Sequence, residues 1–483
     1  MTHDVVICGA GPAGGVVARR LAAAGLRVAL VGGETRPGWE GLSSRSRGLL
    51  IEECVDPQGE VIAGPLVRRG VWANGRSVEG VEWLVERAVL ADALSTRARE
   101  RGADYRADTV TSTVRVGDHW RVVLRGGEVL RAPMMVDARG RRARSAWAQS
   151  SGAQNSLPPP RSSQRNEWPT IELPRGEPRR SGPVLLAIGQ RFRRRTSISW
   201  GTRIGVTDTG WCWWAERGGS LWVQIIGKPC SLRPTAWAAA AAAQIPALAR
   251  VLEGASPEGV PVARAAHAQL GVVRGAEQVQ SGGARDCDSL EPTFWLAGDA
   301  AMALDPLSGQ GVYEAIRGAR LVATAVQSVV DGGDARVAKR FVHERREEAW
   351  LHGVHAAAGF YRENESCGGF WSETAAAYEA LLPERALAGA RPARIERRPV
   401  LEEGRILERD VVVTAEHPRG VWQVAGVPLA ALRGYLETAE HASVDAAAAA
   451  LDRAPAAVAS AMNWLRERGP LLQRGPLRVS SGG

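Results

Sequence analysis

Two glycine-rich stretches, far apart in the chain, constrain the fold of this sequence more than any other feature. The first is Asp4-Val5-Val6-Ile7-Cys8-Gly9-Ala10-Gly11-Pro12-Ala13-Gly14. The second runs Phe294-Trp295-Leu296-Ala297-Gly298-Asp299 and continues to Asp305-Pro306-Leu307-Ser308-Gly309-Gln310-Gly311. A lone G-x-G-x-x-G is a weak signal, but the context of this one is specific. Val5 to Cys8 is a short apolar run that reads as a buried parallel strand. Val16 to Ala24 reads as a helix, Gly25 as its stop, and Arg27 to Val31 as the next strand. Gly9 permits the tight turn, Gly11 lets the backbone approach a diphosphate, and Gly14 allows close packing of helix on strand. With Pro12 and Ala13 they open a helix whose unpaired N–H groups face an anion.

The second stretch supplies the other end of such a site. Phe294 to Ala297 reads as a core strand, Gly298 as a turn, and Asp299 as a carboxylate suited to ribityl hydroxyls. Gly309, Gln310 and Gly311 lead into a helix over Val312 to Val330. Its N-terminus, aimed at the pyrimidine edge of a flavin, would stabilise the negative charge of the reduced ring. The two motifs together predict flavin adenine dinucleotide (FAD) held at both its pyrophosphate and its ring. Asp305 and Pro306, just ahead of this helix, are the candidate catalytic residues. One departure stands out. The acidic residue expected to grip ribose after the second strand falls at Gly32, and Glu34 is the nearest substitute.

A chain of 483 residues, 45% hydrophobic and 23% charged, can bury a large core and form two or three domains. It contains no apolar run long enough for a membrane span, and its N-terminal apolar segment holds the phosphate loop rather than a signal peptide. Cys8, Cys54, Cys212, Cys230, Cys287 and Cys367 show no paired spacing, which fits reduced thiols in a cytoplasm. His343, His352 and His355 on one helix read as ordinary surface or core residues, so no metal is expected. The net charge of +9 comes from dispersed arginines, with Lys228 and Lys339 the only lysines. That pattern argues against nucleic acid and is at least as compatible with an acidic protein partner.

Residues 84–101 have helical spacing, Trp120 to Leu124 and Val129 to Arg131 read as paired strands, and Met134 to Asp137 as a core strand. Residues 150–183, rich in Pro, Ser, Arg and Gly, read as a long loop. Alternating strands from Val184 to Ile226 form a sheet that walls a pocket, with Trp211 and Trp213 as its substrate-facing residues. Ala236 to Leu252 reads as one helix. A linker near 385–399 precedes two strands, Arg405 to Thr414 and Val421 to Val424, joined at Pro418-Arg419-Gly420, and three helices. The division expected is an FAD-binding domain (1–180 and 285–355, with 40–80 joining the substrate sheet), a substrate sheet (181–284), a helical extension and linker (356–399), and a small C-terminal domain (400–483).

With both motifs in hand, the chain resembles the single-domain flavin monooxygenases and the tryptophan-halogenase-like flavoproteins over residues 3–375. The matching positions are Gly9, Gly11, Gly14, Gly41-Leu42-Ser43-Ser44-Arg45, Arg87 in Glu86-Arg87-Ala88-Val89-Leu90, Asp137-Ala138-Arg139-Gly140, and Gly298 to Gly311. The resemblance implies an α/β fold. A Rossmann-like FAD-binding domain of the p-hydroxybenzoate-hydroxylase type would carry a mixed β-sheet substrate domain and a small C-terminal α+β module. It also implies that Arg45 and Arg87 lie near the cofactor. Gly210-Trp211-Cys212-Trp213 is similar to the G-W-x-W of the halogenases, but Ala215-Glu216 replaces their Ile-Pro. In that family a lysine activates hypochlorous acid, whereas residues 1–227 here contain none. Arg76 does not replace it, because its charge is fixed and its fork geometry differs.

A narrower likeness is to the flavoproteins that mature the tryptophylquinone cofactor of quinohemoprotein amine dehydrogenase. The cues are Gly41 to Arg45, the pairs Phe360-Tyr361 and Phe370-Trp371, and the added C-terminal module. This likeness implies hydroxylation of a tryptophan in a precursor polypeptide. It also implies molecular oxygen, NADH, NADPH or a separate flavin reductase as electron source, and a radical-SAM crosslinking enzyme as possible companion. Three alternatives stand beside it: a hydroxylase or halogenase of a small aromatic natural product, an FAD-containing reductase of prenyl chains, and a scaffold that presents peptides.

Overall fold

The computed structural model describes residues 3–56, 59–72, 75, 77–142, 180–194, 201–229, 234–271, 293–383, 393–439 and 443–468. Arg76 and nearly all of the 150–183 loop lie outside the described residues. The chain divides into two compact units. One comprises Met1–Ala323 with Arg345–Leu382, and the other Thr324–Glu344 with Pro383–Gly483.

At the centre of the first unit is a five-stranded parallel sheet in the order Phe294–Leu296, Met134–Asp137, Val5–Cys8, Val28–Val31, Asp104–Arg106. Its inner strands are fully buried, so they read as unbroken apolar runs rather than alternating ones. The helix Pro12–Ala23 follows the first strand, with Pro12 in its first turn, where a missing N–H costs nothing. Two glycines make this crossover possible. Gly9 has φ of +111° and sits against the Ala138 carbonyl, and a Cβ on Gly14 would collide with the Gly9 carbonyl oxygen.

An eight-stranded sheet forms the second layer of this unit. Its order is Ser256–Ala265, Leu186–Arg193, Ser220–Gly227, Gly210–Arg217, Gly201–Thr207, Ala63–Val71, Ser77–Glu86, Trp39–Leu42. All neighbours are antiparallel except Gly201–Thr207 against Ala63–Val71. Register puts Trp211 and Trp213 on one face of this sheet, and Cys212 and Trp214 on the other, packed with Leu248 and Val251. On the first face Trp211 joins Met302, Leu304, Leu307, Tyr361, Phe370, Trp371 and Tyr378 in a buried aromatic core.

The second unit contains the hairpin Arg394–Glu402 with Arg405–Val413, the short pair Gln423–Val424 with Val427–Pro428, and the helices Leu429–Thr438, Val444–Leu451 and Pro455–Arg468. Leu432, Leu436, Val458 and Leu465 form its core. Ser328 Oγ accepts from the backbone N–H of Ile406 at 3.0 Å, fastening the hairpin to the helical segment of the same unit.

Three elements differ from expectation. Residues 84–86 extend the strand Ser77–Glu86, and the helix begins only at Arg87, because Val81 to Glu86 pair with the strand Trp39–Leu42 and with Ala63–Val71. The expected helix over 236–252 is two, Pro234–Gln244 and Pro246–Leu252, since Pro246 cannot donate within a continuous helix. Arg405–Val413 pairs with Arg394–Glu402, part of the expected linker, while Val421 makes a single bridge to Val412. Among the described residues no helix is long and apolar enough to cross a membrane.

Candidate functional site

The two glycine motifs meet at the C-terminal edge of the parallel sheet. Phe294–Leu296 pairs with Met134–Asp137, which pairs with Val5–Cys8, so Gly298 and Gly9 leave the same sheet edge one strand apart. A Cβ on Gly298, whose φ is +60°, would stand 2.7 Å from Ala13 Cβ in the first helix. Strand ends in such a crevice are where open α/β sheets bind nucleotides.

The local chemistry fits an anionic dinucleotide. The helix Pro12–Ala23 begins at Gly11 with no side-chain cap and no acidic residue in its first turn, leaving its N–H groups free for phosphate. Open space surrounds the Cα of Gly11 and of Gly311, where a cofactor can lie against the backbone. Asp305 caps the turn Pro306–Ser308, and Gly309 at φ +63° turns the chain into the helix Gly311–Val330. Gln310 is exposed beside it. The missing ribose acid also has a physical reason. A Cβ on Gly32 would collide with Ala10 Cβ of the phosphate loop, so no acidic side chain fits there. Glu34 is exposed two residues on.

Three guanidiniums face two carboxylates beside this edge. Arg141 donates to the His267 carbonyl at 2.6 Å and stands 3.6 Å from Asp299. Arg87 pairs with Glu40, and Arg264 lies 3.8 Å from Glu40 and donates to Gln224 at 2.6 Å. Burial, followed by the repulsion of Arg87, brings the Arg264 guanidinium down to about 10. The excess of positive charge suits a diphosphate or a reduced, anionic flavin. Arg45 is exposed on the helix Ser44–Glu52, whose N-cap Ser43 accepts from Ser46 N–H.

Asp305 lies deeper. Only 1% exposed, it accepts at Oδ1 from Leu307 N–H (2.8 Å) and at Oδ2 from both Tyr361 (3.1 Å) and Tyr378 (2.7 Å). Tyr361 in turn accepts from the Trp211 indole at 3.4 Å, and Tyr378 from the Ala268 N–H at 3.3 Å. Burial pushes the Asp305 carboxyl up to about 6, against the pull of its tyrosine and backbone donors. This network ties the candidate catalytic residue to the candidate substrate wall. Trp213, two residues along, is partly exposed and donates to Glu82 Oε2 at 3.4 Å. Pro306 is half-buried on the same loop.

Sequence reasoning missed Tyr378, Arg141, Arg264 and Glu82. Arg141 follows directly on the matched turn Asp137 to Gly140, where a charge-minded reading could have found it. The other three have no local pattern, because each joins the candidate site only through partners remote in sequence.

Comparison with known proteins agrees with this architecture. The family model described as lycopene cyclase protein matches residues 4–157, the segment carrying the first motif. No curated protein matches the sequence. Among solved structures, the peptidyl tryptophan dihydroxylase QhpG, essential for tryptophylquinone cofactor biogenesis, superposes with a TM-score of 0.73 at 24% identity. That likeness covers 97% of this chain and 99% of QhpG. The flavin-dependent halogenase CmlS superposes at 0.61 with 16% identity, covering 100% of both chains. A flavin-dependent brominase gives 0.57 with 18% identity, covering 76% of this chain and 88% of its own. The chain has their fold. It is the α/β architecture expected above, a parallel sheet with a mixed second sheet.

Proposed function

We propose that this protein is an FAD-dependent monooxygenase that hydroxylates a tryptophan residue of a precursor polypeptide during tryptophylquinone biogenesis. The observation that carries the reading is the junction of Gly298 with Ala13, which brings the pyrophosphate loop and the ring-end loop to one sheet edge. In this reading Gly9, Gly11, Pro12, Ala13 and Gly14 hold the diphosphate, and Asp299 takes the ribityl hydroxyls. Gly309, Gln310 and Gly311 present the second helix N-terminus to the ring. Glu34, Arg45 and Arg87 flank the nucleotide. The bound flavin supplies electron transfer from NADH or NADPH, or from a separate reductase, to molecular oxygen.

The residues of this chain then have three tasks. Trp213, which is partly exposed, stacks on an incoming indole and excludes water from the reacting atoms, with Trp211 buried beside it in the aromatic core. Asp305, anchored by two tyrosines, fixes the ring-end loop and Pro306 against that wall. The likeness to QhpG over nearly the whole of both chains supports a polypeptide substrate. The companion in this reading is a radical-SAM crosslinking enzyme. A halogenase reading has the halogenase likenesses in its favour. Against it, residues 1–227 contain no lysine to handle hypohalous acid.

The test is direct. Protein loaded with FAD, given reduced nicotinamide, oxygen and a crosslinked tryptophan-containing polypeptide, should add oxygen to one indole, read as a mass increase of the polypeptide. A protein that takes up no FAD, or that consumes reductant without modifying any polypeptide, refutes the reading.

A further inference from the structure

Glu82 is a buried carboxylate outside the network around Asp305. It stands at 8% exposure on the strand Ser77–Glu86, opposite Leu66 and on the same sheet face as Trp213. Burying a carboxylate costs free energy unless charge or hydrogen bonds compensate it. Compensation here is incomplete. Oε2 accepts the Trp213 indole N–H at 3.4 Å, and among the described residues no ion pair reaches the carboxylate. Burial dominates and raises the carboxyl above its ordinary value, with Glu40 adding to the rise, against the Thr202 hydroxyl, the Coulombic pull of Arg68 and the Trp213 indole.

The chain also makes room for it. Gly41, in the segment Gly41 to Arg45, lies directly against the carboxylate, and a Cβ at that position would collide with Oε1. Oε1 therefore lies over bare backbone at the edge of the Trp213 wall, and Trp213 itself keeps part of its ring open. Along this face the order is Asp305, Tyr361, Trp211, Trp213, Glu82, so two buried carboxyls bracket the tryptophan pair.

We propose that Glu82 is the acceptor for the indole N–H of the substrate, holding the ring beside Trp213 as it already holds the indole of Trp213 itself. This rests on the reading of an indole substrate given above. A charged acceptor in a partly dry site discriminates sharply between a ring that carries N–H and one of the same size that does not. A neutral amide in its place discriminates less, and an apolar side chain not at all.

The experiment compares binding of indole and benzothiophene to the FAD-loaded, full-length protein, by calorimetry and by perturbation of the flavin spectrum. Wild type should prefer indole by about tenfold or more. Glu82→Gln should reduce that preference to a few-fold, and Glu82→Leu should erase it, with FAD content and melting temperature reported for each. Gly41→Ala, which crowds the carboxylate from the other side, should weaken indole and leave benzothiophene nearly unchanged. Equal affinity of wild type for the two rings overturns the proposal. So does failure of wild type to bind indole, or an undiminished preference in Glu82→Leu. If wild type prefers indole but modifies no polypeptide, the monooxygenase reading falls and the acceptor stands. If it modifies polypeptide while binding both rings equally, the reverse holds.

Discussion

Replacing Tyr378 with phenylalanine removes one hydroxyl at the centre of the Asp305 network and should reveal itself through pH. That hydroxyl donates to Asp305 Oδ2 at 2.7 Å and accepts from Ala268 N–H at 3.3 Å, with all three groups buried. Asp305 has its carboxyl raised from 3.8 to about 6 by burial. A raised acid binds its proton more tightly when folded, so its favourable term is complete below the unfolded value and is lost as pH climbs through about 6. Without Tyr378 the anion loses a donor, and the carboxyl rises further. At about pH 5 both proteins hold Asp305 neutral, and the variant lacks one neutral hydrogen bond and strands one N–H, a deficit of about 1–3 kcal/mol. At about pH 8 the lost bond is to a charge, and the deficit grows by a further ~1–2 kcal/mol. At roughly 2–4 °C per kcal/mol, the gap in melting temperature between wild type and variant should widen by several degrees from the lower to the higher pH. Scanning fluorimetry of both proteins across that range decides it. A gap that stays constant, or narrows with rising pH, would refute the account of Asp305 as a buried anion held by tyrosine.

Further perturbations follow from the cofactor site and the lysine content. Gly11→Trp fills the open space where backbone meets diphosphate and should abolish the visible flavin absorbance of the purified protein; a yellow variant would contradict that placement. Gly298→Ala forces a Cβ against Ala13 from a left-handed backbone, and should lower FAD affinity at least about tenfold in a fluorescence titration. With chloride or bromide present, mass analysis should find hydroxylated but no halogenated indole; a halogenated product would overturn the lysine argument.

Much of the half built on the parallel sheet was legible because its signals are local. Val5–Cys8, Val28–Val31 and Met134–Asp137 are short apolar runs bounded by glycine or charge, and buried parallel strands have that signature. Gly9, Gly14 and Gly298 sit where a side chain would collide, so their identity carries geometry directly. Contacts remote in sequence carry no such mark. Nothing near Tyr378 announces Asp305, and Glu82 looks like any outward-facing glutamate until Gly41 and Trp213 close over it. The hairpin strand Arg394–Glu402 was hidden for another reason. Arg, Glu and Pro399 read as linker, yet a two-stranded ribbon tolerates a proline, which has no backbone N–H to give to the ladder.

That hairpin also bears on how a polypeptide would approach. Dispersed arginines and a net charge of +9 suggest electrostatic capture of an acidic partner. Yet four of the hairpin's five arginines are matched by carboxylates of their own unit, and Arg405 donates to the Asp331 carbonyl. Arg398 lies 2.9 Å from Glu344 and 2.7 Å from Glu396, Arg409 lies 2.6 Å from Glu402, Arg397 lies 3.6 Å from Glu408, and Arg394 pairs with Glu396. A guanidinium already paired with a carboxylate offers little field at a distance. Deleting residues 400–483 would test docking badly, because it strips Arg394–Glu402 of its partner strand and Ser328 of its bond to Ile406. Charge reversal is cleaner. Arg397→Glu with Arg409→Glu should change the KM for the precursor polypeptide by less than about fivefold, since exposed pairs are worth at most about 1 kcal/mol. A rise of about tenfold or more at unchanged kcat and FAD content would mean that these guanidiniums leave their glutamates to meet the substrate. Capture would then be electrostatic, and the pairs seen here would mark only the resting state of the hairpin.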